Sequence, residues 1–239
     1  MRRARGATVV RSGGEVLRAA SEPVELVREG RWLITRFACR QQVLSWAIVG
    51  GGRRTAQAVA WYWVRENELR PPVDARALLH RRLAEAAIPD AVGLLTSRDL
   101  DTHVVVERRR DPFGVRCIAT VGLGNALRAG DPPGPAARIG TINLLCCCSH
   151  PLAEEALVEA LALAAEARTA AVLEAAVPSR MTGRPATGTG TDCIVVAAPV
   201  ASAPARYVGK HTVFGSLIGA AVMEATSRGV EQWREASVS

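Results

Sequence analysis

Short runs of strand-like residues joined by tight turns, and later stretches of helical period, predict an α+β protein. Three observations carry this class. Between Arg31 and Val64 apolar residues come in pieces of strand length broken by Gly50-Gly51-Gly52. From Val92 to Val121 further short strand-like runs follow one another. After Pro151 the apolar spacing changes from strand-like to helical. Neighbouring strands joined by short turns pair antiparallel, so the expectation is a largely antiparallel or mixed β-sheet packed by a few α-helices. The 239 residues carry 49% hydrophobic content, enough for one core, and show no internal repeat. The expected division is a loosely structured lead-in over 1–28 with at most one strand, a single domain over 29–230, and a tail over 231–239.

In chain order, 31–38 (RWLITRFA) and 42–49 (QVLSWAIV) read as successive strands. Ala56–Val64 reads as the next, with Trp61 and Trp63 on one face and Tyr62 on the other. Those tryptophans suit either a core or a stacking wall for a flat ligand. Asp74 is placed to cap a helix running to about Ile88 through Leu78, Leu79 and Leu83. Short strands are expected at 92–95, 102–107 and 115–121; the second contains His103, readable as structural or as a site residue. A Pro/Gly linker at 131–137 leads to Leu144–Cys148, which is apolar at every position and so predicts a strand buried on both faces. Pro151 starts a helix whose first turn holds Glu154 and Glu155, favourable near the positive end of the dipole. It continues to about Ala176 and carries Glu166. A last helix is expected from about Thr212 to Ser227.

Composition excludes several classes. Much of the +7 net charge lies in Arg2, Arg3, Arg5, Arg11 and Arg18, and no basic stripe interleaved with aromatics appears, so no nucleic-acid partner is expected. No apolar run reaches the ~20 residues that span a bilayer, and no apolar h-region follows the N-terminal arginines. Six cysteines, none in a CxxC pair, suit buried thiols in a reducing cytoplasm better than zinc or disulfides. The expected protein is cytoplasmic, without a membrane partner, metal site or cofactor, and with a homo-oligomer left open.

The chemistry concentrates in a C-terminal stretch. Thr187-Gly188-Thr189-Gly190-Thr191-Asp192 is a glycine- and hydroxyl-rich loop, readable as a solvated turn or as a site. Downstream stands Lys210, the one lysine in the sequence, directly before His211. Dinucleotide, phosphate-loop and G-x-S-x-G patterns all fail: after Gly122 and Gly124, position 127 is Leu, and no G-K-[ST] closes the threonine loop. What remains is a set of groups suited to amides: Asn125, Asn143, Gly188, Thr189, Gly190, Thr191, Asp192, Lys210 and His211. The expected mechanism is amide hydrolysis. His211 is the candidate base, Asp192 orients it, Lys210 holds the carbonyl, and the amides of Gly188 and Gly190 face the oxyanion.

Several ordered motifs resemble the adenosylcobinamide amidohydrolase family of corrinoid salvage enzymes. They are TVGLGNALRAG at 120–130, GTINLL at 140–145, the 165–175 region, ATGTGTD at 186–192 and GKHTVFGSLIGAAV at 209–222. The resemblance runs from about Glu29 to Gly229. It implies cleavage of the amide that joins the aminopropanol arm to the corrin ring, giving adenosylcobyric acid and aminopropanol. The partner it implies is a small-molecule corrinoid that brings its own cobalt as substrate. It assigns no catalytic residue. Two departures stand out: Ser216 lies where members often carry a carboxylate, and Ala165-Glu166-Ala167-Arg168 keeps the family's glutamate but replaces its lysine. Glu166 is thereby a candidate site acid, and Trp61 and Trp63 are candidate partners for the ring. Two other readings remain open: a non-enzymatic corrinoid binder, and a metallohydrolase using His103, His150 and His211 with Asp192.

Overall fold

The computed structural model describes residues 24–70, 72–134 and 140–238. The N-terminal arginines, Pro71 and residues 135–139 of the linker lie outside that range. Strand β1 (Val24–Glu29) pairs antiparallel with β2 (Trp32–Ser45), which pairs antiparallel with β3 (Gly52–Trp63). The two strands expected at 31–38 and 42–49 are thus one. An irregularity between Arg36 and Gln41 bends it, and β3 follows both halves. Past Ser45 the chain leaves the sheet, so Trp46 is not a strand residue.

Helix α1 (Ala75–Glu85) begins where Asp74 accepts from the amides of Arg76 and Ala77, as expected. Strand β4 (Val92–Thr96) returns parallel to β3. Then come β5 (Val104–Arg110), β6 (Phe113–Val121), the two-residue β7 (Ala126–Leu127) and β8 (Ile142–Cys148). Helix α2 (Glu154–Glu174), β9 (Gly188–Thr189), β10 (Cys193–Pro199) and helix α3 (Val213–Val238) complete the chain. The last helix therefore runs well past Ser227, through most of the stretch expected as a tail.

The main sheet has eight strands in the order β4-β3-β2-β10-β8-β6-β5, with β1 also on β2. Only β3–β4 and β8–β10 are parallel in it, which gives the mixed, mostly antiparallel α+β architecture. Strands β1 and β10 pair with opposite halves of β2, so the sheet parts at the bend into two half-sheets. Their facing surfaces enclose Leu33, Trp61, Leu94, Ile118, Leu145 and Val195. Helices α2 and α3 cover the far face of β5-β6-β8-β10, burying Leu144, Leu157, Ile194 and Ile218. Helix α1 covers β3 and β4 with Leu78, Leu79 and Leu83. Gly93 admits that helix, because a Cβ there would stand 2.9 Å from Leu79 Cδ2 and Leu83 Cδ1. The result is four layers, helix-sheet-sheet-helix. Strand β8 is buried on both faces as its apolar run requires: Leu145 and Cys147 face the inter-sheet layer, while Leu144, Cys146 and Cys148 face the helices.

Candidate active site

The polar loops meet at one end of the sheet, where β6 ends and β8 and β10 begin. Asp192 is their hub. Its carboxylate accepts from Ile142 N at 3.0 Å, Thr189 N at 2.9 Å and the Thr189 hydroxyl, and takes Arg168 Nη1 of α2 at 2.5 Å. Both members of the Arg168–Asp192 pair are nearly buried, at 12% and 7% side-chain exposure. Gly188 makes room for this pair, since a Cβ there would press into Arg168 Nη1. Gly188 is itself buried against this ion pair. Gly190 and Thr191 remain exposed. Thr191 Oγ1 donates to Gly140 O and Thr141 Oγ1 donates to Thr191 O, both at 2.8 Å, lacing the two loops together.

Asn143 is 1% exposed and reaches across the inter-sheet layer to donate to Leu95 O at 2.7 Å. That is a bond between layers, not a free ligand group. Asn125 differs: its Oδ1 is buried and has no partner among the described residues. It lies against Gly140, where an added Cβ would come within 2.7 Å of it. Trp46, which the sequence left in a strand, stands 45% exposed at this end with Nε1 donating to Asp192 O at 2.5 Å. Nothing in the strand-like run around it announced that role.

The expected catalytic trio is not assembled. Lys210 Nζ meets Glu166 Oε1 at 2.7 Å on an exposed surface, a kind of pair that contributes little. Glu166 is therefore not a buried site acid. Two residues along a helix turn the side chain through about 200°, so Glu166 and Arg168 leave α2 on opposite sides and the helix stands between Lys210 and Asp192. His211 is exposed, and the carboxylate near it is Glu159, whose Oε1 and the His211 ring both border Gly209. Three residues on, Phe214 stacks on Phe113 at the opposite end of β6, with ring centroids 5.3 Å apart. Asp192, with four donors already on its carboxylate, does not orient His211.

The tryptophan wall is corrected as well. Trp61 and Trp63 do share a face, but Trp61 is 0% exposed inside the inter-sheet core and Trp63 packs on the same cluster. Burial raises the thiols of Cys117 and Cys147, and takes Cys193 up to about 12 with help from Asp192. A hydrogen bond with Cys146 and burial do the same for Cys148. These groups stay protonated near neutrality and are not nucleophiles. Among the described residues no three or more His, Cys, Asp or Glu gather to hold a metal. A cleft of about 290 Å³ lined by Phe37, Gln41, Glu107, Arg116, Cys148 and Pro199 opens at the other end of the sheet. Glu107 and Arg116 pair within it and His150 Nδ1 near it has no partner among the described residues, while the loop end gathers Asn125 Oδ1 and Thr120 Oγ1 without partners together with the polar loops.

Comparison of this four-layer α+β domain with known proteins points to a family of amidohydrolases. The model of that family, CbiZ, adenosylcobinamide amidohydrolase, matches residues 18–238. The chain belongs to that family. It is also 32% identical over 155 residues to the uncharacterized protein MJ1613 of Methanocaldococcus jannaschii, a match covering 56% of this chain and 60% of the relative's length. Two solved structures show a distant likeness. The PH0078 protein from Pyrococcus horikoshii OT3 gives a TM-score of 0.42 at 10% identity, covering 95% of this chain and 82% of the other. A Burkholderia sp. beta-aminopeptidase gives 0.40 at 12% identity, covering 89% and 82%. No helix among the described residues is long and apolar enough to cross a membrane.

Proposed function

We propose that the protein hydrolyses the amide linking the aminopropanol arm to the corrin ring of adenosylcobinamide, in cobamide salvage and remodelling. One water is added across the C–N bond, giving adenosylcobyric acid and (R)-1-amino-2-propanol. The observation that carries this reading, beside family membership, is the Asn125 carboxamide. It lies in a loop of a family motif, with a buried oxygen that nothing in the described protein satisfies. An amide N–H of the substrate is the natural donor to it. Trp46 supplies an exposed aromatic face at the same end, bonded to Asp192 O, while Asn125 borders Gly140 and Gly190. A macrocycle lying across these loops would have one arm at Asn125. Cobalt belongs to the substrate, and the six cysteines, none in a disulfide, suit a reaction in the reducing cytoplasm.

The test is to incubate the purified protein with adenosylcobinamide, with and without EDTA, and to analyse by mass. Adenosylcobyric acid and aminopropanol are expected in both arms. Tight corrinoid binding without release of the amine would replace this reading with that of a corrinoid carrier. Asn125→Ala should weaken apparent affinity by about five-fold, the size of one lost hydrogen bond.

A further inference from the structure

We infer that His103 and Arg98, with Thr120 behind them, form the hydrolytic centre at the loop-end mouth of the inter-sheet layer. His103 acts as general base and Arg98 holds the developing oxyanion. This rests on the proposed amide hydrolysis and assigns it to residues outside the C-terminal loops.

The first observation is a tautomer. His103 follows the 3-10 turn Leu100–Thr102 and leads into β5 with extended backbone. Its Nδ1 stands 2.7 Å from Leu100 O. A carbonyl oxygen can only accept, so Nδ1 carries the hydrogen and the Nε2 lone pair is left to take a proton. The ring is half-buried, with access to solvent.

The second is register. Val104 pairs with Ala119, so one step back along the ladder His103 stands beside Thr120, and Thr120 pairs with Asn143. Val105, Ile118 and Leu145 face the inter-sheet layer. Side chains alternate along a strand, so Thr120 and Asn143 lie on that same face, and His103 precedes β5 at the end of the ladder beside them. Thr120 is 1% exposed and its hydroxyl has no partner among the described residues. A buried hydroxyl left empty is costly, and at this position it can hold a water beside the imidazole.

The third is a half-buried cation with no ion pair among the described residues. Arg98 touches Thr102 Oγ1 through Nη2 at 3.4 Å and keeps a buried Nε without a partner among those residues. Burial lowers its pKa, the sign of a charge held out of water, and the neighbouring Asp99 carboxylate offsets only part of that. Its stem lies over Gly122, where an added Cβ would stand 3.0 Å from Arg98 Cγ, at the start of the loop that carries Asn125. A guanidinium in this state is stabilised by an anion that forms only during reaction.

The step balances. Water gives a proton to His103 Nε2 while its oxygen bonds to the amide carbon, and the carbonyl oxygen becomes an oxyanion facing Arg98. The carbon–nitrogen bond then breaks, and the proton on Nε2 passes to the leaving nitrogen. Carboxylic acid and amine result, and the imidazole is neutral again.

The test compares wild type, His103→Ala and Arg98→Lys on adenosylcobinamide, with corrinoid affinity read separately by visible absorption. His103→Ala should lose about 100-fold or more in kcat, as expected of a general base, while binding changes by less than about three-fold. Added imidazole should restore part of the rate, which a structural role would not allow. Arg98→Lys should lose on the order of 100-fold in kcat. Should His103→Ala fail to fold, His103→Asn keeps a donor to Leu100 O without a base, and it should bind but not turn over. An active wild type with either His103 variant turning over at near wild-type rate overturns this inference alone. A wild type inert towards the corrinoid overturns the proposed function and this centre together.

Discussion

At the scale of single residues, the deciding quantity is how many partners a buried polar atom has. Asp192 has four donors on its carboxylate, and its nearly buried charge is matched by Arg168. Asp192→Ala removes one charge and leaves the other in a low-dielectric setting, which costs about 3 kcal/mol or more. Urea denaturation should show that loss as a lower midpoint with an unchanged slope. Gly188→Ala should act in the same direction, because its Cβ would displace the guanidinium. Of the residues with buried polar atoms lacking a partner among the described residues, three at the loop end, Asn125, Thr120 and Arg98, are the ones to which reactivity is assigned. The sequence made Asn125 legible through its glycine-flanked loop, but Thr120 and Arg98 look in isolation like any strand threonine and surface arginine.

At the scale of elements, the turn after β3 is held by one ion pair. Arg31 Nη1 donates to Glu68 Oε1 at 3.0 Å and its Nε to Trp63 O at 2.8 Å, while the guanidinium lies 4.6 Å over the Tyr62 ring. This bond to Arg31 draws the Glu68 carboxyl down from its ordinary 4.5 to about 2. A carboxylate with a lowered folded-state pKa stabilises the fold above its unfolded value, and that contribution is lost as pH falls through the folded value. Glu68→Gln should therefore be less stable than wild type by about 1 kcal/mol near neutrality. The gap should narrow below pH 4.5 and close near pH 2, measured by denaturation at each pH. A gap that is constant with pH would show that the carboxylate charge is not what holds the turn.

At the scale of the whole molecule, α3 ties the helical layer to the site end of the sheet. Beyond Ser227 it buries Val230 to 1% exposure, packs Trp233 on the core, and sets Gly229 against Val121, the last residue of β6. Deleting 229–239 should cost on the order of 3 kcal/mol from lost apolar burial, read as a lower Tm. An unchanged Tm would make the segment the tail that its polar residues suggested. The sequence understated this helix because after Ser227 only about one apolar residue per turn remains, too thin a stripe for periodicity to report.

The sequence by itself determined what is local. It contained the strand and helix periods, the doubly buried run at Leu144–Cys148, the Asp74 cap, the polar glycine-rich loops, and the motifs of the family. Those features depend on the order of neighbouring residues, and period alone reveals which face is apolar. Only the tertiary structure decided which surfaces meet. The bend in β2 folds one half-sheet over the other, burying Trp61 and leaving Trp46 at the rim. Helix α2 stands between Lys210 and Asp192, though few residues separate them in the chain. The β5–β6 register brings His103, the residue before Val104, to the end of β6 that holds Thr120. Such pairings follow from where the chain crosses itself in space, and no window of adjacent residues contains that information.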